Sequence, residues 1–411
     1  MSSFIGKLRT WMESYHSVVP LSILLSTSPL PPLTTLQRLR ALGIYKSIPD
    51  ILGVNIEDFK RQGYSDRFIE LLKVASLSQR TGSIEPLKSL VEEKISETRA
   101  DLELMDYTIS QNMELLSVFV LLLPSILASL LFIVNPTIVA TILLACSALG
   151  LILGICLGLI SIPWELRIRG SVLPLIFSPV IFLVAFYIFQ DPLKSLVILS
   201  IVLSPYLFKK LREELKVLEE SLELARRATT STSNIFRALE IEDPEYLLSD
   251  RFYGVSRAIC VAIYLLALHG GVRLRESLVK LLEYIRDYVG YVKRLRNKTR
   301  VIFLYSAIMG MLSAVSLAFI VVVLSFLSST MSSSTLPLIT AIYMPSHEEL
   351  ELVKEYIRYV LAVNSLTFSL ITALFRDGNP VYFPLYLLPI SIAVMLSYNL
   401  TLLYVPVLLG W

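Results

Sequence analysis

Seven long apolar runs dominate this chain and leave few folds open to it. They cover about residues 115–134, 138–161, 171–189, 193–208, 301–327, 357–375 and 381–400. A helix needs roughly 20 apolar residues to cross the hydrocarbon core of a bilayer. Only 17% of the residues are charged, whereas soluble proteins carry about 25%. The sequence therefore predicts an all-α, polytopic membrane protein with about seven transmembrane helices.

Two of the seven runs are weaker candidates than the rest. The fourth is short, and the sixth contains the polar residue Asn364. The chain ends in TLLYVPVLLGW, which is too short for a further span and is predicted to prolong the final helix, with a second span as the alternative. The proline-interrupted stretch SVVPLSILLSTSPLPPL near the N-terminus is predicted to be a folded or interfacial segment rather than a cleaved signal.

The distribution of basic residues gives an orientation for these spans. Loops carrying Lys and Arg remain in the cytoplasm, and 34 of the 37 basic residues fall on one side of a seven-span arrangement. That side holds the N-terminus and both long polar stretches. The sequence therefore predicts a multi-pass protein of the cell (cytoplasmic) membrane with its C-terminus outside.

The polar stretches divide the chain into four segments. We predict a cytoplasmic helical domain at residues 1–114, four transmembrane helices at 115–208, a second cytoplasmic helical domain at 209–300, and three transmembrane helices at 301–411. An outer loop is expected near residues 328–356, where the sequence is rich in Ser and Thr and then acidic.

The two cytoplasmic domains share a pattern. At an offset of 188 residues, Gly82 aligns with Gly270, and the tripeptide Ser-Leu-Val recurs at 89–91 and 277–279. In both copies an apolar helix is followed by a Gly turn, an amphipathic helix and an apolar run. Gly82, Gly270 and Gly271 are predicted hairpin turns, because Gly readily ends a helix in the left-handed conformation. The pattern predicts a repeated helical-bundle domain, with two unrelated helical loops as the alternative.

Two stretches carry a resemblance to a known family. LLKVASLSQRTGSIEPLKSLVEEKI and YLLALHGGVRLRESLVKLLEYI, each leading into the membrane, resemble the F family of the type II secretion system, the inner-membrane platform proteins of type II secretion and type IV pilus assembly. The extra spans between the domains are most similar to the archaeal, TadC-like members, which serve archaella and archaeal pili. The lead-in Gln79-Arg80-Thr81 and the short chain depart from the family pattern.

The resemblance implies a non-enzymatic scaffold. Such a platform would dock a cytoplasmic hexameric secretion ATPase, pass pilin or archaellin subunits into a filament, sit in the lipid bilayer and form a homodimer. The chain has no GxxxxGK[ST] phosphate loop, no HExxH and no GxSxG, and no catalytic residue, cofactor, metal site or nucleic-acid partner is predicted. A permease or channel-type transport subunit is the alternative, although the predicted spans contain almost no ionisable side chains.

Basic residues supply the predicted docking surface for the ATPase. Two lie at the second hairpin and five lie just before the fifth apolar run: Arg273, Arg275, Lys293, Arg294, Arg296, Lys298 and Arg300. The alternative is that these residues only orient the helix and contact anionic lipid headgroups. For the pilin, the candidate is a small-residue surface on the fifth span, Ser306, Gly310, Ser313 and Ala314. Ordinary packing inside the bundle is the alternative for this surface.

Overall fold

The computed structural model describes residues 2–43, 48–51, 56–130, 136–161, 168–230, 235–269, 274–331, 346–408 and 410. These residues form α-helices and no strands. The helices are α1 (Ser2–Thr27), α2 (Pro32–Ala41), α3 (Ile56–Gln62), α4 (Asp66–Thr81), α5 (Glu85–Ser117), α6 (Leu123–Ser129), α7 (Pro136–Ser161), α8 (Leu173–Phe189), α9 (Pro192–Thr230), α10 (Ile235–Ala238), α11 (Gly254–His269), α12 (Leu274–Met331), α13 (His347–Asp377) and α14 (Phe383–Leu408). The all-α prediction is confirmed for this part of the chain.

The chain divides into two compact units. The first unit comprises Met1–Glu103 and Glu213–Lys293, and the second, called the membrane unit, comprises Leu104–Arg212 and Arg294–Trp411. The first unit therefore gathers most of both predicted cytoplasmic domains. Three helices, α5, α9 and α12, contribute residues to both units.

The first unit is built around α1, which packs against α4 and α11. Leu21, Leu24 and Leu25 of α1 are almost completely buried. Their core is shared with residues of both polar stretches, such as Phe68 and Ile263. The two stretches thus fold into one unit with a single hydrophobic core, whereas the sequence predicted two separate bundles. The proline-interrupted N-terminal segment is part of this core.

Six helical segments that lie wholly or partly in the membrane unit are long and apolar enough to cross a bilayer. They are Tyr107–Ser129, Ile138–Leu159, Pro192–Thr230, Thr299–Ser329, His347–Asp377 and Pro380–Leu408. Six of the seven predicted spans are thus supported, including the two weaker candidates, and the chain is a multi-pass membrane protein. The seventh, residues 171–189, corresponds to α8, whose 17 residues extend about 26 Å. This length is at the lower limit for a span.

The last two helices also refine the predictions. The C-terminal apolar run forms one helix, α14, up to Leu408. The acidic part of the predicted outer loop is helical, because α13 begins at His347. Ser346 caps it: its hydroxyl accepts from the Glu349 N–H, and the Glu349 carboxylate accepts from the Ser346 N–H. Residues 332–345 of that loop lie outside the described residues.

Candidate functional site

The two predicted hairpins have matching helix bounds. Helices α4 and α11 each contain 16 residues, and both ends of α11 lie 188 positions after those of α4. A long helix follows each of them, α5 from Glu85 and α12 from Leu274. Gly82 ends α4 in the left-handed conformation, with φ 66° and ψ 6°, as a helix C-terminal Gly does. Gly270, Gly271 and Arg273 lie outside the described residues.

Helix α11 is buried more completely than α4. Leu71 and Leu72 of α4 are buried, as are Ile259 and Cys260 188 positions later, but Leu77 is exposed where the corresponding Leu265 is buried. Burial raises the pKa of the Cys260 thiol, so it is a neutral core residue and not a reactive thiolate. The offset that the sequence indicated is therefore present in the helix bounds, whereas the buried faces differ.

The predicted basic surface lies on α12, but the structure describes only part of it. Lys293, Arg294 and Arg300 are exposed, while the side chains of Arg275, Arg296 and Lys298 are outside the described set. Lys293 Nζ lies 3.3 Å from Glu219 Oε1 of α9, so part of its charge is balanced within the first unit. Arg294 and Arg300 both belong to the membrane unit.

A crevice of about 400 Å³ opens between α5 and α12 within the membrane unit. It is mostly apolar, and the lining residues are Ile109, Ser110, Met113 and Glu114 from α5, and Thr299, Val301, Ile302 and Tyr305 from α12. Val301 and Glu114 are exposed at its edge, whereas Met113 is buried. The volume is in the range of sites that bind small apolar groups, and the sequence interpretation did not anticipate it.

The small residues proposed as a pilin surface face the interior of the membrane unit. Ser306, Gly310, Ser313 and Ala314 are all buried. Thr372 of α13 donates to Ser306 Oγ at 3.1 Å, and a Cβ atom on Gly310 would lie 3.0 Å from Val394 of α14. Their contacts are those of packing inside the bundle, the alternative interpretation, and no free surface is present there for another helix.

The Asn364 side chain connects three helical elements of the membrane unit through hydrogen bonds. Asn364 of α13 donates from Nδ2 to the Val120 carbonyl oxygen at 3.3 Å and to Ser313 Oγ of α12 at 3.1 Å. In an α-helix the Val120 carbonyl would accept from residue 124, but Pro124 has no N–H. Residues Val118–Leu122 instead form a π-helical turn. Asn364 therefore donates a hydrogen bond to a carbonyl whose α-helical donor position is occupied by a proline.

Three glycines, missed in the sequence interpretation, bring α7 and α13 together. Gly150, Gly154 and Gly158 form a GxxxGxxxG pattern, which permits close helix contact in membranes. A Cβ atom on Gly154 would lie 2.7 Å from Ile371 Cδ1, and one on Gly158 would lie 2.7 Å from Leu374 Cδ1. The GxxxGxxxG spacing is visible in the sequence and was the signal that could have predicted a close helix contact at α7.

The short connection between α13 and α14 is also more ordered than its sequence indicated. Asp377 is buried and its Oδ2 accepts from the Tyr386 hydroxyl at 2.5 Å. The Asn379 amide donates to the Ile168 carbonyl, and the Tyr382 hydroxyl donates to the Arg169 carbonyl. These bonds attach the segment before α8 to this connection.

The described residues contain no group of three or more His, Cys, Asp or Glu side chains that could hold a metal ion. Comparison with known proteins gives no further assignment. No family model matches the chain, and no curated protein or solved structure matches it. The features that bear on function are therefore the repeated order of helices, the crevice and the polar interior of the membrane unit.

Proposed function

We propose that this chain is a non-enzymatic membrane platform of an archaeal pilus, archaellum or type II secretion-like machine. In this role it docks a cytoplasmic hexameric secretion ATPase and passes pilin or archaellin subunits into a filament, as a homodimer. The observation that carries the proposal is a repeated order of helices. Helices α4 and α11 have bounds separated by 188 residues, and the long helix after each, α5 or α12, continues into a candidate span.

The continuity of the second helix of each hairpin supports a mechanical role. Helix α5 begins at Glu85 in the first unit, and α12 begins at Leu274 and has 58 residues. Each contributes residues to both units. A partner that binds the first unit would therefore act on helices whose later residues line the crevice, without any intervening loop.

The exposed basic residues of α12 suit a partner with an acidic surface. Complementary charge mainly accelerates and orients association, and exposed charges are screened by salt. Arg294 and Arg300 are exposed, and together with Arg273 and Arg275 they are the residues we assign to ATPase docking. Contact with anionic headgroups is the competing role.

The crevice between α5 and α12 replaces the buried small residues as the candidate binding site for the pilin. Its apolar lining suits part of a lipid-embedded helix, for which close packing and not the hydrophobic effect drives association. A photo-crosslinking side chain at Val301 should capture the pilin. The same group at Val202 of α9, which is also exposed, provides the control.

The docking experiment uses the whole chain, because the two polar stretches share one core and a fragment would expose it. The full-length protein in nanodiscs is mixed with a hexameric secretion ATPase of the same organism, and co-purification is measured at low and high salt. Arg294→Glu with Arg300→Glu should reduce binding at least tenfold. The control is Arg61→Glu, which reverses the charge of an exposed residue in the first unit and should leave ATPase binding unchanged. No binding by the unaltered protein at low salt contradicts the proposal.

One observation favours the alternative, a permease or channel-type subunit. Asn364, Ser313 and the Val120 carbonyl form a hydrogen-bonded polar group in the interior of the membrane unit, and intramembrane polar groups often line transport pathways. Solute or ion flux through proteoliposomes containing the protein alone tests this. Flux that Asn364→Leu abolishes would support transport over the platform.

A further inference from the structure

Four buried side-chain polar atoms of the membrane unit lack hydrogen-bond partners among the described residues. Two of the four, Ser147 Oγ on α7 and Asn364 Oδ1 on α13, belong to helices that pack against each other. Both residues are at most 1% exposed. A buried polar atom without a partner is costly, and such atoms commonly mark a site where a small polar molecule binds. The amide oxygen is an acceptor, so it requires a donor.

The contacts between α7 and α13 place these two atoms at the same height along the helix pair. The close contacts Gly154–Ile371 and Gly158–Leu374 show that α7 and α13 run parallel, since the numbers rise together on both helices. Ser147 lies seven residues before Gly154, and Asn364 lies seven before Ile371. Seven residues are almost two helical turns, so both side chains recur on the facing sides of the pair.

A contact with a third helical segment gives the same placement independently. A Cβ atom on Gly150 of α7 would lie 3.0 Å from Val120 Cγ2, and Asn364 Nδ2 lies 3.3 Å from the Val120 oxygen. Ser147 is one turn from Gly150 on α7. Both unpartnered atoms therefore flank the π-helical turn that contains Val120.

We propose that one water molecule is bound here, between Ser147 and Asn364. It donates one hydrogen bond to Asn364 Oδ1 and forms a second with the Ser147 hydroxyl. The groups around the site are neutral. An alkali cation would bring an uncompensated charge into the hydrocarbon region, so water is the occupant that the chemistry favours.

Bound water would extend the polar group to a fourth helical element. Asn364 already connects α13 to α12 through Ser313 and to the turn containing Val120. Through the water, Ser147 of α7 joins the same network. A water held by two or three polar partners is then part of the structure, and not a transient visitor.

Unfolding of the full-length protein in mixed micelles tests the site. If water is bound, Ser147→Ala removes one of its partners and lowers the folding equilibrium constant about fivefold. If the site is dry, the same change removes an unpaired hydroxyl and leaves stability unchanged or raised, which would overturn the proposal. The matched control is Ser365→Ala, whose hydroxyl donates to Leu361 of its own helix. It should change stability much less, and an equal loss would overturn the proposal.

Two further measurements use the same variants. In an Asn364→Leu background the effect of Ser147→Ala should disappear, because the water has already lost its main acceptor. An undiminished effect would show that the two residues share no ligand. Replacing Na⁺ or K⁺ by choline should leave stability unchanged, and a shift specific to one alkali ion would assign the site to a cation instead.

Discussion

The first unit and the membrane unit are organised in opposite ways. In the first unit large apolar side chains such as Phe59, Phe68 and Leu24 are buried. In the membrane unit some of the largest apolar side chains point outward, with Tyr187 of α8 87% exposed. Its central helix α13 buries Asn364, Ser365, Thr367, Ser369 and Thr372.

The difference in what the two units bury follows from the medium that suits each surface, water for the first unit and lipid for the membrane unit. In water, burial of apolar area is the main favourable contribution to folding. In lipid there is no such drive, and helices associate through close packing and interhelical hydrogen bonds. The first unit should therefore be sensitive to lost volume in its core. The membrane unit should be sensitive to added volume and to lost hydrogen bonds.

The strongest test of this contrast is Gly154→Leu. The position of a Cβ atom there is 2.7 Å from Ile371 Cδ1, so a larger side chain must force α7 and α13 apart. We expect a loss of more than about 4 kcal/mol and little recoverable folded protein, measured by size-exclusion chromatography and unfolding in micelles. Gly290→Ala in α12 is the control, because no atom of the described residues outside its own stretch of helix lies within 4 Å of its Cβ position. It should be neutral or stabilise by up to about 1 kcal/mol.

The complementary test in the first unit is Leu24→Ala. Leu24 of α1 is completely buried, and truncation of such a residue costs about 2–5 kcal/mol in transfer free energy and cavity formation. Leu77→Ala on α4, which is 51% exposed, should change stability by no more than about 0.5 kcal/mol. Chemical unfolding of the full-length protein gives both values. Equal effects of the two substitutions would contradict the placement of α1 in the core.

The broad organisation could be predicted because hydropathy and repeat spacing depend on short stretches of sequence. The runs that contain Asn364 and residues 193–208 are long helices, even though the sequence made them the weakest spans. Asn364 reduces the local hydropathy, but its amide is paired with the Val120 carbonyl. Hydropathy counts the polar group and cannot register its partner 244 residues away.

The tertiary relations could not be predicted from local patterns. Nothing in either polar stretch indicates that both contribute to one core, because that depends on α1 packing against α4 and α11. Small residues such as Ser313 are equally compatible with an open groove and with packing in the bundle. The GxxxGxxxG pattern on α7 was predictable, whereas its partner α13 was not.

The hydrogen-bonded interior of the membrane unit is tested by Asn364→Leu. The substitution keeps the volume similar but removes the hydrogen bonds that Asn364 donates to the Val120 carbonyl and to Ser313. Interhelical hydrogen bonds in membranes contribute about 0.6 kcal/mol on average, so we expect a loss of about 1–2 kcal/mol in micelles. Ser369→Ala, whose hydroxyl donates within its own helix, should cost less. Equal losses of stability from the two substitutions would show that the interhelical hydrogen bonds of Asn364 are not the source of the stabilisation.

The smallest expected effect concerns charge in the first unit. Lys94 is buried; burial disfavours its charged form, but the hydrogen bond to Glu97 and the charges of Glu70, Glu97 and Glu93 outweigh this and raise its pKa. A raised folded-state pKa stabilises the protein below the unfolded value of about 10.4, and the contribution disappears as the pH rises through the folded value. Lys94→Met should therefore lower stability by no more than about 1 kcal/mol at neutral pH. The difference from the unaltered protein should shrink above about pH 10.4, as measured by thermal unfolding.

Lys73→Met, at an exposed position on α4, is the matched control. A Lys94 effect that persisted unchanged at high pH would show that the Lys94 side chain contributes by packing instead.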